Sequence, residues 1–215
     1  MNVSQKVGVI IWATAGCGSR SCTTALAKAG MDDMLNVVEN FVFPVTGPFT
    51  HQQGIPKGFE QFPIICLTRN PYSRIVSAFL DEKRQYLEKE PTFDYSFDYF
   101  LRNIYLIEDR YPNSQADFFV EEWEKLNVRP NYFIKMEKME EDLQNCEYLK
   151  NLNFTEDIFD DSVRKNNYAF ENEYDEYQGN FQKYQKYYTQ ELADFVCSKI
   201  GHYFDIFGYS KESWK

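Results

Sequence analysis

Short apolar runs alternate along the first 70 residues with segments that have the composition of helices. Each run is brief and is bounded by small or polar residues, which predicts buried strands at residues 7–13, 35–43 and 63–68. Residues 22–29 between the first two runs have a helical composition and precede Gly30, a residue type that commonly follows a helix C-terminus. A strand, a helix and a strand in this order predict parallel strands joined by a crossover helix.

Beyond residue 70 the pattern becomes mostly helical. Apolar residues recur on one side of a predicted helix from residue 71 to about residue 90, opposite a charged side. Further helices are predicted at residues 97–107, 115–126, 139–149 and 189–204, the last with Thr189 as its N-cap. A fourth strand is predicted at 132–136, and residues 157–186 are polar, rich in tyrosine and irregular. The elements predict an α/β fold with a central, mostly parallel sheet.

The size and composition fit one packed domain over residues 1–215, of which 43% are hydrophobic. A net charge of −10 argues against a nucleic-acid-binding protein, which normally presents a broad basic face. The five cysteines are an odd number and include no Cys-x-x-Cys pair, so neither a disulfide framework nor a zinc site is indicated. The first apolar run is too short to span a bilayer, and residues 1–6 do not form a signal peptide. We therefore expect a cytoplasmic protein with no membrane partner.

The first candidate motif is a glycine-rich turn after the first strand, Gly16-Cys17-Gly18-Ser19-Arg20-Ser21-Cys22-Thr23-Thr24-Ala25-Leu26. It differs from the Walker P-loop, because Cys22 stands where that pattern has lysine and Ser21 where it has its second glycine. The strand ending at Thr68 also continues into Arg69 instead of an acidic magnesium ligand. These departures argue against an ATP or GTP hydrolase, and they make a phosphotransferase of P-loop descent the lesser alternative.

The same motif predicts an anion site at a helix N-terminus. Arg20 precedes three hydroxyl residues, Ser21, Thr23 and Thr24, where the helix dipole and the first N–H groups favour negative charge. A purely structural interpretation is equally open at this point. In that interpretation the hydroxyls cap the helix and Arg20 is solvated.

The second candidate motif follows the third predicted strand and is Arg69-Asn70-Pro71-Tyr72-Ser73-Arg74-Ile75-Val76-Ser77. Asn70 suits the N-cap and Pro71 the first helical position, and Ser73 and Ser77 lie on the helix face nearest Arg69. An arginine and a hydroxyl beyond a strand end make a phosphate clamp. The alternative, a turn with surface arginines, leaves this arrangement unexplained. Because both motifs follow predicted parallel strands, they predict a ligand with two phosphates in one crevice.

On these residues the chain resembles the PAPS-dependent sulfotransferases, particularly the carbohydrate (Golgi-type and heparan-type) branch. The 3′-phosphate motif of that family, R-[DN]-P-x-x-R-x-x-S, is matched fully by residues 69–77. The 5′-phosphosulfate loop, K-[ST]-G-[ST]-[ST]-x-L, is matched by residues 20–26, with Arg20 in place of lysine and Cys22 in place of glycine. Residues 133–143, 184–192 and 203–209 extend the resemblance to nearly the whole chain.

The resemblance implies a P-loop-like three-layer fold and transfer of a sulfuryl group from PAPS to a hydroxyl, giving PAP without a metal. The acceptor would be a glycan or a small hydroxyl-bearing molecule. The resemblance places the 5′-phosphosulfate at Gly18, Ser19, Arg20, Ser21, Cys22, Thr23 and Thr24. It places the 3′-phosphate at Arg69 and Ser77. Arg164 and Lys165 either fold over the nucleotide, as a late basic segment does in that family, or form a solvated charge pair in a loop.

Two residues are candidates for the base that removes the acceptor proton. His51 lies between the second and third predicted strands, where several carbohydrate sulfotransferases place a catalytic histidine, and imidazole titrates near neutral pH. Glu39 resembles the glutamate that other members carry after the second strand. We prefer His51 and keep Glu39 as the alternative, with Arg20 as the catalytic cation. A non-catalytic module that binds PAP or a similar bisphosphate is the alternative function.

Overall fold

The computed structural model describes residues 2–13, 17–38, 41–44, 55, 58–87, 95–105, 128–159 and 181–215. Internal packing divides the chain into two compact units. Unit 1 comprises Met1–Thr68 and Phe119–Tyr168, and unit 2 comprises Arg69–Phe118 and Ala169–Lys215. The single domain expected over residues 1–215 stays a prediction, because a division into compact units does not test it.

Unit 1 contains a mixed sheet whose six described strands are ordered β4-β3-β1-β2-β5-β6. The strands are β1 (Asn2–Ser4), β2 (Val9–Ala13), β3 (Leu35–Val38), β4 (Phe41–Pro44), β5 (Ile64–Thr68) and β6 (Tyr132–Lys135). The pairs β2–β5 and β5–β6 are parallel, whereas β1 is antiparallel to both β2 and β3, and β4 is antiparallel to β3. Four strands therefore run in one direction and two in the other. The α/β class is confirmed.

Two details of the sheet differ from the sequence-based expectation. The run predicted as one strand over 35–43 forms two strands, β3 and β4, in which Val38 pairs with Phe41. The polar pair Glu39-Asn40, which interrupts the apolar run, was the available sequence signal for two strands. The short strand β1 was not predicted and lies between β2 and β3, so those two strands are parallel but not adjacent. With only three residues, two of them polar, β1 has no readable hydrophobic period.

The described residues form five α-helices: α1 (Ser19–Lys28), α2 (Pro71–Leu87), α3 (Phe97–Phe100), α4 (Met139–Asn145) and α5 (Gln190–Phe207). A π-helical turn, Leu101–Tyr105, continues α3, and shorter 3₁₀ turns lie at Met136–Lys138, Glu147–Leu149, Glu156–Phe159 and Phe181–Tyr187. These elements match the predicted helices to within a few residues at most ends. The helix predicted over 115–126 lies outside the described residues. Within the described part of the chain, no helix has both the length and the apolar character needed to cross a membrane.

The core of unit 1 lies between α1 and one face of the sheet. Helix α1 contributes small and aliphatic side chains, Cys22, Ala25 and Leu26, all with no exposed surface. They pack with the inward residues of the central strands, Val9, Ile11, Ala13, Ile65, Leu67 and Ile134. Alternate residues of β2 and β5, which point to the opposite face, are buried as well, among them Ile10, Trp12 and Cys66. Burial on both faces is typical of a parallel sheet and explains why these strands appear as unbroken apolar runs.

Unit 2 is built around aromatic rings. Phe79 of α2 stacks on Tyr95 with a centroid distance of 5.8 Å and meets Phe97 nearly edge-on at 5.2 Å. Tyr72 lies about two turns before Phe79 in α2. The centroid of its ring is 4.7 Å from the ring centroids of both Tyr188 and Phe204. Such pairs stabilise a core beyond the effect of area burial alone. The high content of phenylalanine and tyrosine is therefore used in packing at these positions.

Helix α5 begins as its sequence predicts, with Thr189 as the N-cap. The Thr189 hydroxyl accepts a hydrogen bond from the backbone N–H of Leu192 at 3.3 Å. At the other end Gly208 adopts a left-handed conformation (φ 66°), which ends the helix.

We expect Thr189→Ala to lower the free energy of unfolding by about 1 kcal/mol, because it leaves a first-turn N–H without its capping oxygen. Urea denaturation followed by circular dichroism measures this change. Thr189→Ser keeps the acceptor and should retain most of the stability. Ser198→Ala serves as the control, because the Ser198 hydroxyl lies on the exposed side of the same helix and bonds only the carbonyl of Phe195. Equal losses in Thr189→Ala and Ser198→Ala would contradict the capping role.

Candidate functional site

Both candidate motifs follow parallel strands that end at the same edge of the sheet. Ala13 of β2 pairs with Leu67 of β5, so the two strands run side by side to their carboxyl ends. The glycine-rich motif follows β2, and Arg69 comes directly after Thr68, the last residue of β5. The carboxyl edge of parallel strands is the usual ligand-binding edge of an α/β sheet. The parallel direction of the two strands that precede the motifs is confirmed, whereas the shared crevice stays a prediction.

The first motif begins α1 through a glycine. Gly18 is the N-cap residue and has a left-handed backbone, with φ 75° and ψ 28°. The N-cap residue has no side chain to cap the helix, and no acidic residue lies in the first turn. Ser21, Thr23 and Thr24 lie inside α1, and the alternative in which they cap the helix stays open. The positive end of the helix dipole is not offset by a carboxylate of the first turn.

The hydroxyls of this motif differ in their local bonding. Thr23 donates to the backbone carbonyl of Ser19 at 2.7 Å. To donate to a bound anion, this hydroxyl would rotate away from that carbonyl. Ser19, Ser21 and Thr24 are all partly exposed on α1. The motif therefore keeps hydroxyl groups within reach of solvent in the first two turns.

Cys22, which stands where the sulfotransferase loop that the sequence resembles has glycine, points into the core. Its side chain is fully buried among the residues that pack against the sheet. Burial, and then the proximity of Cys146, raise the pKa of the Cys22 thiol. Its backbone N–H donates to the carbonyl of Gly18 at 3.0 Å. The thiol therefore lies away from the start of the helix. A cysteine instead of a glycine at this position adds a side chain to the face of α1 that packs on the sheet.

Gly18 is also required by close packing. A Cβ atom at this position would lie 2.9 Å from Met139 Cε and 3.2 Å from Met136 Cγ. Both methionines follow β6, whose last residue, Lys135, pairs with Thr68 at the carboxyl edge of the sheet. The methionines thus lie against the N-cap of α1, a contact that no sequence pattern indicated.

The second motif has the local structure that the sequence predicts. Helix α2 begins at Pro71, and Asn70 caps it, since its Oδ1 accepts from the backbone N–H of Tyr72 at 3.0 Å. The Asn70 carbonyl also accepts from the N–H of Arg74 at 2.9 Å. Proline supplies no N–H at the first helical position and has a preset φ, so Asn-Pro defines where this helix starts.

Arg69 is buried and is oriented by Ser73. Only 3% of Arg69 is exposed, and its Nε donates to the hydroxyl of Ser73 at 2.8 Å. Ser77 lies one turn further along α2 and is 9% exposed. The sequence predicts that Ser73 and Ser77 lie on the helix face nearest Arg69. It assigns the 3′-phosphate to Arg69 and Ser77, however, and gives Ser73 no role. The i, i+4 spacing of Arg69 and Ser73 was the available signal.

A buried guanidinium in this position is a specific feature. Arginine stays charged at every accessible pH, and burying a charge is costly unless hydrogen bonds or an anion compensate. The bond from Nε to Ser73 is one such compensating hydrogen bond, and it fixes the plane of the guanidinium.

Several predicted site residues lie outside the part of the chain that the structure describes: His51, Glu39, Arg164, Lys165 and the side chain of Arg20. Their assignments stay predictions. Within the described ranges, no three His, Cys, Asp or Glu residues are grouped closely enough to hold a metal ion. Comparisons of the chain with protein-family models, with curated proteins and with solved structures each give no match.

We expect Gly18→Ala to destabilise the protein by about 1–2 kcal/mol, because alanine is strained at this positive φ and its methyl group displaces Met136 and Met139. Gly8→Ala is a matched control. Gly8 has nearly the same φ, 78°, but a Cβ there would meet nothing within 4 Å. Chemical denaturation should therefore give a smaller loss for Gly8→Ala. The assigned methionine contact is incorrect if Gly18→Ala costs no more than Gly8→Ala.

Proposed function

We propose that the protein is a PAPS-dependent sulfotransferase that transfers a sulfuryl group to a hydroxyl of a saccharide or of another small acceptor. The proposal rests above all on one feature, the buried Arg69 that Ser73 orients at the capped start of α2. This feature belongs to the motif that matches the family's 3′-phosphate sequence at every defined position. In this proposal Arg69 and Ser77 bind the 3′-phosphate of the nucleotide, and Ser73 holds Arg69 in place.

The start of α1 supports the other half of the proposal. Its N-cap residue is a glycine, its first turn has no acidic residue, and it carries hydroxyl groups and Arg20. A helix N-terminus of this kind favours a phosphate or sulfate group. The burial of Cys22 also removes an objection, because the residue that departs from the family's loop directs its side chain into the core. We assign the 5′-phosphosulfate to residues 18–24 on this basis.

The proposed fold is the P-loop-like three-layer arrangement of that family. Its support is the parallel pairing of β2 with β5 and of β5 with β6, and the burial of β2 and β5 on both faces. The five cysteines are all thiols, which supports a reducing, cytoplasmic location.

PAPS supplies the activated sulfuryl group, whose sulfur forms a bond to the acceptor oxygen while its bond to the 5′-phosphate oxygen breaks, giving PAP. Arg20 and the first N–H groups of α1 would stabilise the charge that develops on the leaving phosphate. His51, or Glu39 in the alternative, would take the proton of the acceptor hydroxyl. Fixing the two phosphates at separate motifs would align the nucleotide for in-line displacement.

We expect Arg69→Ala to weaken PAP binding by about 30-fold or more, because it removes a charge-assisted contact to the 3′-phosphate. Ser73→Ala should weaken it by about fivefold, since Arg69 loses the bond that orients it. Titration calorimetry with PAP and with AMP measures both effects, and AMP, which lacks the 3′-phosphate, should bind equally to all three proteins.

Arg102→Ala is the matched control for this experiment. Arg102 is a more exposed arginine of unit 2 that pairs with Asp98 and Glu191 at 2.8 and 2.7 Å, and its loss should leave PAP affinity unchanged. The proposed function fails if the unmodified protein binds neither PAP nor PAPS.

We expect His51→Ala to lower turnover about 100-fold or more while PAPS and PAP still bind, as removal of a general base does. PAP release from PAPS measures turnover, with a panel of saccharides, phenols and amines and with EDTA present or absent. Glu39→Gln provides the comparison. Full activity in His51→Ala with loss in Glu39→Gln would assign the base to Glu39, and tight PAPS binding without transfer to any acceptor would favour a non-catalytic bisphosphate-binding module.

A further inference from the structure

The turn that contains Arg69 is held by residues 210–215, which are distant in sequence but belong to the same unit. The side-chain amide of Asn70 donates through Nδ2 to the hydroxyl of Ser213 at 2.8 Å. The Ser213 hydroxyl in turn donates to the carbonyl of Ser210 at 2.6 Å. A second bond lies nearby, where the Tyr72 hydroxyl donates to the carbonyl of Lys211 at 2.8 Å. Two positions at the start of α2, Asn70 and Tyr72, thus bond to one short segment.

The Asn70 amide is engaged at both of its ends. Its Oδ1 caps α2 through the N–H of Tyr72, and its Nδ2 binds Ser213. Asn70 is only 5% exposed, so water does not readily replace a lost partner. The bond to Ser213 therefore helps to fix the amide plane that caps the helix.

The segment is itself anchored to other parts of unit 2. Tyr184 donates to the carbonyl of Ser213 at 2.7 Å, and Gln185 donates to the carbonyl of Lys215 at 2.9 Å. The Tyr72 hydroxyl also lies 3.1 Å from the sulfur of Cys197. Because that hydroxyl has one proton, which it donates to Lys211, the thiol is the donor in this contact. These bonds give residues 210–215 a defined position.

The first turn of α2 joins this network to Arg69. Arg69 is the neighbour of Asn70, and its Nε binds Ser73 within the same turn. A shift of the Asn70 cap would move the backbone of Arg69 and the hydroxyl that orients it. A phosphate clamp depends on the placement of its donors to within a fraction of an ångström.

We propose that Ser213 is a positioning residue for the 3′-phosphate site, and that residues 210–215 set the affinity of that site through Asn70. This inference rests on the proposed function, because it assumes that Arg69 binds the 3′-phosphate. Ser213 acts through Asn70 and does not contact the nucleotide. By thermodynamic reciprocity, a ligand that orders the Arg69 turn also stabilises the docking of residues 210–215.

The test compares the full chain with its Ser213→Ala, Ser213→Thr and Gln185→Ala variants. Ser213→Ala should weaken binding of PAP about fivefold, the effect of one net hydrogen bond, and leave binding of AMP unchanged. Ser213→Thr keeps a hydroxyl and should restore PAP affinity. Gln185→Ala removes a bond to the same segment that does not reach Asn70, and its PAP affinity should equal that of the unmodified protein.

Hydrogen exchange gives a second readout, and its first comparison, between the variants, is made without nucleotide. Ser213→Ala should speed exchange of the Tyr72 amide, whose acceptor is Asn70 Oδ1, while Gln185→Ala should not. In the unmodified protein, PAP should slow exchange of the amides of residues 211–215, whereas AMP should not.

Three results would overturn the inference. Equal PAP affinity of the unmodified protein and of Ser213→Ala would show that the positioning role alone is wrong, and the proposed function would stand. Equal loss of PAP and AMP affinity in Ser213→Ala would indicate general destabilisation instead of positioning. Failure of the unmodified protein to bind PAP would overturn the proposed function, and the inference with it, even if the exchange of Tyr72 responds as expected.

Discussion

The parallel pairing of β2 with β5 is the constraint on which the arrangement of the candidate motifs depends. Ala13 and Leu67 are partners in this pairing, so the chain leaves the sheet at two neighbouring points on one edge. The residues of both strands are buried on both faces, which makes their register costly to change. A slip of one residue would turn the apolar set that faces α1 towards the opposite face. The starting points of both motifs are therefore fixed by the core.

The two helices that follow these strands start by different chemical means. Helix α1 starts at a glycine whose left-handed backbone and close methionine neighbours exclude a side chain. Helix α2 starts at Asn-Pro, where an amide supplies the cap and proline presets the backbone. The first start has a glycine, which supplies no capping side chain, whereas the second uses its cap and adds a buried arginine. The start of α1 is thus formed by backbone alone, and that of α2 by an amide beside a charged side chain.

The parts of the fold that could be predicted are those determined by local chemistry. The N-caps at Asn70 and Thr189 could be predicted because a capping side chain bonds an N–H two or three residues away. The strands β2 and β5 could be predicted because burial on both faces leaves an unbroken apolar run. The strand β1 could not, since its pairing with β3 and the bond from Ser4 to Asp33 at 2.5 Å, across 29 positions of the sequence, are not encoded in its three residues.

The candidate site also has parts that could be predicted from the sequence and parts that could not. The common face of Arg69, Ser73 and Ser77 follows from helical spacing, but the bond from Arg69 to Ser73 instead of Ser77 depends on the rotamer that burial selects. The direction of Cys22 depends on which side of α1 meets the sheet, and the contact of Ser213 with Asn70 joins residues 143 positions apart. Long-range contacts of this kind leave no periodic signal in a single sequence.

The charge of the protein and the local charge of the site serve different purposes. A net charge of −10 gives little long-range attraction for an anion, so a polyanion that needs a broad basic face would be repelled. Arg69 nevertheless offers a strong local interaction, because a desolvated and oriented guanidinium binds a phosphate far more tightly than an exposed one. A few buried donors of this kind favour a small ligand with concentrated charge. In the function proposed above, a nucleotide with phosphates at two separate positions has that property, and the buried Arg69 then supports a bisphosphate ligand more strongly than the overall acidity argues against one.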